Sequence, residues 1–162
     1  MSKVMRVAAA VMGLVVPVVA GCSSSPASPK QELIRSADAS CREINERFTG
    51  DLAYGAGIDE SDVPKMGERV VLLKGLRAKV RKMPKPESGR KALDAWSDKL
   101  GTYITGLEDL KGQIQNYRLG TDLVLIMQSA VNKDAAEAVG PAAKRFGFTD
   151  CAATKKWEYL AS

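Results

Sequence analysis

The sequence contains no histidine, and that absence excludes several kinds of chemistry. None of its 162 residues can supply the base of a Ser-His-Asp or Cys-His catalytic site, or an imidazole ligand for a metal. No phosphate-binding glycine loop is present either. Aromatic residues make up only 6% of the chain, which favours a helical core of Leu, Val and Ala over a β-sandwich. We therefore expect a helical protein that is not an enzyme and that carries no cofactor and no metal.

Long hydrophobic runs are scarce, and the one near the N-terminus is short. It extends over 13 residues from Val7 to Val19 and follows the basic residues Lys3 and Arg6. A membrane-spanning helix needs about 20 apolar residues, so a basic start followed by a shorter apolar stretch is typical of a secretory signal. We predict that residues 1–21 form a signal peptide that is cleaved from the mature chain.

The predicted signal peptide ends in the residues Val19-Ala20-Gly21-Cys22. This ending resembles the lipobox of bacterial lipoproteins, in which diacylglycerol is added to the cysteine sulfur and cleavage occurs just before it. The resemblance implies that Cys22 is the acylated first residue of the mature chain, and two acyl chains hold a protein durably at a membrane. A plain signal peptide followed by an incidental cysteine is the alternative. Residues 22–29 are rich in Ser and Pro and are predicted to be a tether.

Cysteine is rare, with three residues in the chain. If Cys22 is acylated, Cys41 and Cys151 remain as a pair in an exported protein, and oxidising compartments favour a disulfide between them. The bond would close a loop of about 110 residues and contribute up to roughly 4.7 kcal/mol in the chain-entropy account. Two separate buried thiols, or a catalytic thiol that lacks its usual histidine base, are the alternatives.

Apolar residues recur at spacings of three and four in four stretches of the chain. This pattern predicts an all-α protein, an antiparallel four-helix bundle with one disulfide, Cys41–Cys151. The bundle is expected to occupy residues 30–154, with a C-terminal tail at residues 155–162. The predicted helices cover about residues 29–49, 62–82, 87–119 and 122–146. The third has a stripe at heptad spacing, which consists of Leu93, Trp96, Leu100, Tyr103, Leu107, Leu110, Ile114 and Tyr117.

Two local features of these helices carry further expectations. The fourth helix opens with residues 123–127, which are apolar on all sides and are expected to be buried. Its later core stripe is predicted at Val131, Ala135, Ala138, Ala142 and Phe146. Pro141 should kink it, and a break at residues 132–134 is the alternative. In the second helix, Arg69 lies within the apolar stripe, where its stem should cover the core while its charge reaches water. Pairing with an inward carboxylate is the alternative.

The two ends of the chain carry a family resemblance. The lipobox, the Ser-rich tether, the early Cys41 and the ending Phe146-Gly147-Phe148-Thr149-Asp150-Cys151 resemble small actinobacterial lipoproteins with a helical domain of unknown function. In those proteins the ending is typically Leu-Gly-Leu, two residues, then Cys, so Phe replaces Leu twice here. The resemblance implies the location, the fold and the disulfide. It implies no activity, because the family offers no catalytic residues.

A basic stretch is the first candidate for a functional surface. Lys74, Lys79, Arg81 and Lys82 should project from the side of the second helix that lies opposite its core stripe. Beside a membrane, they could contact anionic lipid headgroups or wall polymers. An ordinary solvated face is the alternative. Nucleic acid is not expected as a partner, because the chain is predicted to be exported.

An aromatic row is the second candidate. Trp96, Tyr103 and Tyr117 could line an apolar pocket between helices, or they could simply fill the core. The combined prediction is a lipoprotein anchored to the extracytoplasmic face of the cell membrane, with a non-catalytic binding or structural role and an unidentified protein partner. The alternative is a small-molecule or lipid-binding helical module that uses this pocket.

Overall fold

Four α-helices make up most of the chain in a computed structural model that describes residues 27–55, 59–116 and 122–159. They are α1 (Pro29–Thr49), α2 (Asp62–Lys82), α3 (Arg90–Gln115) and α4 (Asp122–Phe146), and a short 3-10 turn, Asp150–Ala152, follows α4. No strand occurs within the described ranges. The predicted all-α class is confirmed. The predicted signal peptide, Cys22 and Tyr117 lie outside the described residues.

The helix ends follow from local capping residues. The Ser28 hydroxyl accepts a hydrogen bond from the Gln31 N–H, and the Gln31 side chain accepts one from the Ser28 N–H, so that α1 begins with a capping box. The bounds of α1 and α2 are those predicted. α3 is shorter than predicted, because it begins only after Gly89, whose φ of +86° lies in the left-handed region.

The first three helices bury the stripes that their sequence spacing predicts. The seven described members of the α3 stripe are each at most 3% exposed. Consecutive helices pack against each other, α1 on α2, α2 on α3 and α3 on α4. The chain therefore runs up and down as the antiparallel bundle that was predicted.

The segment after α4 completes the core between α1 and α4. Within the described residues, the backbones of these two helices do not pack on each other, and the 3-10 turn contacts both. Cys151 in this turn forms the predicted disulfide with Cys41, which lies in the middle of α1. The buried carboxylate of Asp38 accepts hydrogen bonds from the N–H groups of Thr149 and Cys151. A covalent bond and a carboxylate thus hold this segment on α1.

Trp157 lies at the centre of the core, although the sequence set residues 155–162 apart as a tail. Its ring stacks on Tyr103 with 5.5 Å between centroids and meets the edge of Phe48 at 5.9 Å. Its Nε1 donates to Oδ1 of Asn45 over 2.7 Å. Trp157 and Tyr159 are both buried. The described part of this tail, residues 155–159, therefore belongs to the bundle.

α4 differs from the prediction in the face that it buries. The helix continues through residues 132–134, so the alternative of a break there is absent, and Pro141 lies within the helix, as predicted. Most of its apolar opening is exposed, with 68% of Leu123 and 62% of Met127 accessible to solvent, and Val131 of the predicted stripe is exposed as well. The buried face instead includes Leu125, Ser129, Asn132, Ala136 and Val139. The predicted stripe is confirmed at Ala142 and Phe146, which are buried. The prediction was wrong for the first half of α4 because it located the buried face from hydrophobicity, whereas α3 receives small and polar side chains there.

Arg69 also departs from expectation, since its charge does not reach water. The residue is 1% exposed, and its guanidinium donates to the carbonyl oxygens of Phe48 in the last turn of α1 and of Leu52 just after this helix. It also donates to the carbonyl oxygens of Lys156 and Trp157. No carboxylate of the described residues lies within ion-pair distance of it. Carbonyl oxygens, which carry partial negative charge at the end of a helix, replace a carboxylate as its partners.

Candidate functional site

The predicted tether joins the bundle at the N-terminus of α1, where three helix ends meet. The Lys30 Nζ lies 5.2 Å from the centroid of the Phe146 ring, which belongs to the last residue of α4. Gly89, which precedes α3, lies so close that an added Cβ would be 3.4 Å from the same ring. Ala27 and Ser28, the first residues described, are exposed here. This is therefore the end of the bundle from which the chain extends toward Cys22.

The structure places the four predicted basic residues of α2 in two groups. The Lys74 Nζ pairs with Oε1 of Glu108 in α3 at 2.7 Å, and the Lys79 Nζ donates to Oγ of Ser40 in α1 at 2.8 Å. These two lysines therefore reach toward opposite neighbours of α2. Arg81 and Lys82 are exposed in the last turn and have no ion-pair partner among the described residues. Their side chains can meet an anionic surface without breaking a contact.

The two described members of the aromatic row are packed in the core. Trp96 is fully buried, with its centroid 4.9 Å from that of Phe148. Tyr103 is also fully buried, and its hydroxyl donates to the Trp157 carbonyl oxygen over 2.6 Å. Burial raises the pKa of the Tyr103 phenol above its usual range. The Trp96 Nε1 has no hydrogen-bond partner among the residues that the structure describes. This packing favours a core role for the pair.

A groove of about 620 Å³ runs between α3 and α4, beside α2. Its lining includes Asp98, Asp109 and Arg77, and neither Trp96 nor Tyr103 takes part. The Arg77 guanidinium donates to Oγ of Ser97 at 3.3 Å and lies across Gly101, where an added Cβ would be 2.7 Å from Nη2. The groove therefore offers hydrogen-bonding groups and both signs of charge, without an imidazole.

The first half of α4 presents an apolar surface that sequence reasoning missed. We call it the apolar face, and it consists of Leu123, Val124, Ile126, Met127 and Val131, all more than half exposed. No charged residue occurs between Asp122 and Lys133. Contiguous exposed apolar surface of this kind is uncommon on monomeric proteins. The polar residues Ser129 and Asn132 lie on the opposite, buried side of α4. Their presence there is the sequence signal that could have indicated an outward orientation of the apolar face.

Comparison with family models, with curated proteins and with solved structures finds no match for the chain. Among the described residues, no group of three or more Cys, Asp or Glu side chains is placed to hold a metal ion. The helices of the described ranges also include none that is both long enough and apolar enough to cross a membrane. Any account of function must therefore come from the chain itself.

Proposed function

We propose that the protein is a membrane-anchored lipoprotein of the cell envelope with a non-catalytic binding or structural role. The observation that carries the proposal is the Cys41–Cys151 disulfide, which accounts for two of the three cysteines in the sequence and leaves Cys22 outside this bond. Stable disulfides are typical of exported proteins. A single remaining cysteine at the end of a lipobox-like leader is then available for acylation.

The geometry of the first helix supports the same proposal. The capping box fixes the start of α1 at Ser28, so residues 23–28 separate the bundle from Cys22. Such a segment reaches at most about 20 Å when fully extended. A diacylglycerol on Cys22 would therefore hold the bundle close to the membrane surface. No helix of the described chain would need to enter the bilayer.

A non-catalytic role is supported by the lack of histidine in the sequence. The alternative, a module that binds a small molecule or lipid between helices, depends on Trp96 and Tyr103. Both rings contact other aromatic side chains on the inside of the bundle. The packing therefore favours the first proposal over the alternative.

The test is to express the full chain in a bacterial host that processes lipoproteins and to measure the intact mass of the membrane-bound product. We expect the loss of residues 1–21, a diacylglycerol adduct on Cys22, and a mass two hydrogens below that of the reduced form. Cys22→Ser should lose the adduct and retain residues 1–21, because cleavage before residue 22 requires the acylated cysteine. An intact leader on the wild-type chain, or an unmodified Cys22, would overturn the proposal.

The matched control is the double variant Cys41→Ser/Cys151→Ser. It removes the same kind of side chain from the bundle and leaves the lipobox unchanged, so Cys22 should still be acylated. Loss of the adduct in this control would show that the effect of Cys22→Ser is not specific to the lipobox. Folding is checked in parallel by circular dichroism of each variant.

A further inference from the structure

Positive charge is concentrated at one end of the molecule. We define the basic end as residues 29–35, 79–94 and 144–146, which contain ten basic and three acidic side chains. The other residues from Cys22 onward contain twelve basic and sixteen acidic side chains. The basic end thus carries a net charge of +7, and the remainder of the predicted mature chain carries −4. The molecule therefore has a positively charged end, and the rest of the predicted mature chain is negatively charged.

Contacts show that the three segments of the basic end lie together. Lys30 in α1 contacts the ring of Phe146 in α4, and both lie against Gly89 before α3. The last turn of α2 joins them, since Lys79 donates to the Ser36 carbonyl oxygen in α1 and Lys85 pairs with Asp94 in α3. One surface therefore gathers the ends of all four helices.

Most of this charge is not neutralised. Eight exposed basic side chains have no ion-pair partner among the described residues, namely Arg35, Lys79, Arg81, Lys82, Arg90, Lys91, Lys144 and Arg145. Lys85 is paired only loosely, at 3.5 Å from Asp94. Unpaired cations that are gathered at one end of a molecule repel one another, so their clustering has a cost that an external anion can remove.

Helix capping does not explain the cluster. Cations are favoured at the C-termini of helices, and this would account for the basic last turns of α2 and α4. The same end of the bundle, however, contains the N-termini of α1 and α3, where the helix dipole disfavours cations. Arg90 and Lys91 nevertheless open α3, whose first turn has no acidic residue. The basic residues therefore cluster at one end of the bundle, whether a helix begins or ends there.

We propose that the basic end rests on anionic phospholipid headgroups of the membrane in which Cys22 is anchored. The inference rests on the proposed function, because the acylated tether would emerge from this same end. It adds that the bundle stands on the membrane in a fixed orientation. The acyl chains and the basic end act as two signals, and two signals bind a protein to a membrane more firmly than one.

The first test uses the lipidated protein in vesicles of phosphatidylcholine, with or without 30% phosphatidylglycerol. Exposed lysines are acylated with a water-soluble reagent and quantified by mass spectrometry. Lys82, Lys91 and Lys144 should be labelled at least about threefold less on the anionic vesicles, whose surface attracts them. Lys99, which is exposed, and Lys111, which is half-buried, lie further along α3 outside the basic end and should be labelled equally on both. Equal labelling of all five lysines would overturn the inference.

The second test does not depend on acylation, so that failure of the anchor and failure of the basic end can be told apart. The mature chain with Cys22→Ser is sedimented with the same vesicles at low and high salt. It should bind the anionic vesicles only, and high salt should release it because it screens exposed charges. Arg81→Glu/Lys82→Glu/Lys91→Glu should weaken binding at least about tenfold.

The matched control makes the same charge change elsewhere, as Lys99→Glu/Lys111→Glu/Lys156→Glu. Lys99 and Lys111 lie further along α3, and the Lys156 carbonyl oxygen accepts from Arg69 near the C-terminal end of α1. This control should bind at least about fivefold more tightly than the basic-end variant, since its cations lie away from the surface. Equal weakening by both variants would mean that only net charge matters. Binding to soluble poly(glycerol phosphate) with none to vesicles would point to a wall polymer. Either result would overturn the inference. If the Arg81→Glu/Lys82→Glu/Lys91→Glu variant fails to fold, the milder variant Arg81→Gln/Lys82→Gln/Lys91→Gln replaces it.

Discussion

At the scale of single residues, Arg69 connects parts of the chain that are far apart in sequence. Its guanidinium reaches the end of α1 and the segment after α4, and it lies over the rings of Phe48 and Tyr54 at 4.1 and 3.7 Å from their centroids. Its position in the apolar stripe was visible in the sequence. Its partners were not, because main-chain carbonyl oxygens leave no residue-specific signal.

We predict that Arg69→Met destabilises the fold by about 3 kcal/mol, because it leaves buried carbonyl oxygens without donors. Arg69→Lys should recover less than half of this loss, since one ammonium group cannot reproduce the planar set of donors. Arg77→Met, on the same helix and bonded only to Ser97, should cost about 1 kcal/mol or less. Urea unfolding measures all three. A loss below about 1 kcal/mol for Arg69→Met would contradict this account.

At the scale of elements, three helices were predictable and the fourth was only partly so. α1, α2 and α3 bury continuous Leu, Val, Ile and aromatic stripes, and regular spacing is enough to locate such stripes. α4 instead sets Asn132 against Gly106 of α3, where Nδ2 donates to the Tyr103 carbonyl oxygen. The space beside Gly106 belongs to α3, so the hydrophobic pattern of the α4 sequence does not reveal it. Burial of Asn132 could therefore not be predicted from that pattern.

The candidate site was predictable to a different degree. Arg81 and Lys82 could be assigned to a basic surface from sequence, because they fall opposite the core stripe of α2. The contribution of Lys144 and Arg145 could not, because it depends on which helix ends come together. Burial of Trp96 and Tyr103 followed from spacing, whereas contact of these rings with Phe148 and Trp157 depended on the path of the chain after α4.

The glycines within the helices give a matched pair of predictions. Gly112→Ala in α3 should stabilise the fold by about 0.5–1 kcal/mol, because an added Cβ meets nothing within 4 Å and alanine favours helix. Gly140→Ala in α4 should destabilise it by about 1–3 kcal/mol, since its Cβ would lie 2.9 Å from the Ala152 carbonyl oxygen. Thermal unfolding of the oxidised protein distinguishes them. Shifts of the same sign would refute the close approach at Gly140.

At the scale of the whole molecule, the ends of the bundle differ in character. The basic end adjoins the predicted tether, while the connection between α1 and α2 at the other end contains Asp51, Asp59 and Glu60. α4 begins at that second end. Because it has 25 residues, its first residue lies about 36 Å from its last. If the basic end rests on lipid, the apolar face lies on the half of the molecule remote from the bilayer.

Buried tyrosines predict how stability of the whole molecule depends on pH. Burial raises the pKa of Tyr54, Tyr103 and Tyr159, so the folded protein keeps these protons at pH values where the unfolded chain loses them. Their contribution is complete below about pH 10, the pKa of a free tyrosine, and is lost as pH rises further. Tyr103→Phe should therefore flatten the decline by up to about 1.4 kcal/mol per pH unit. Urea unfolding between about pH 8 and pH 11.5 checks this. An unchanged slope in the variant would show that Tyr103 ionises without penalty.

If the protein is exported as we propose, the route of the chain after α4 has a consequence for its secretion. Trp157 and Tyr159 complete the interior, so a nascent polypeptide cannot finish folding until these late residues have left the ribosome. A chain that cannot complete its fold before synthesis ends would remain suitable for an export channel that accepts only unfolded chains. On the far side, arrival of the final residues joins the first helix to the last and commits the newly secreted molecule to its mature shape.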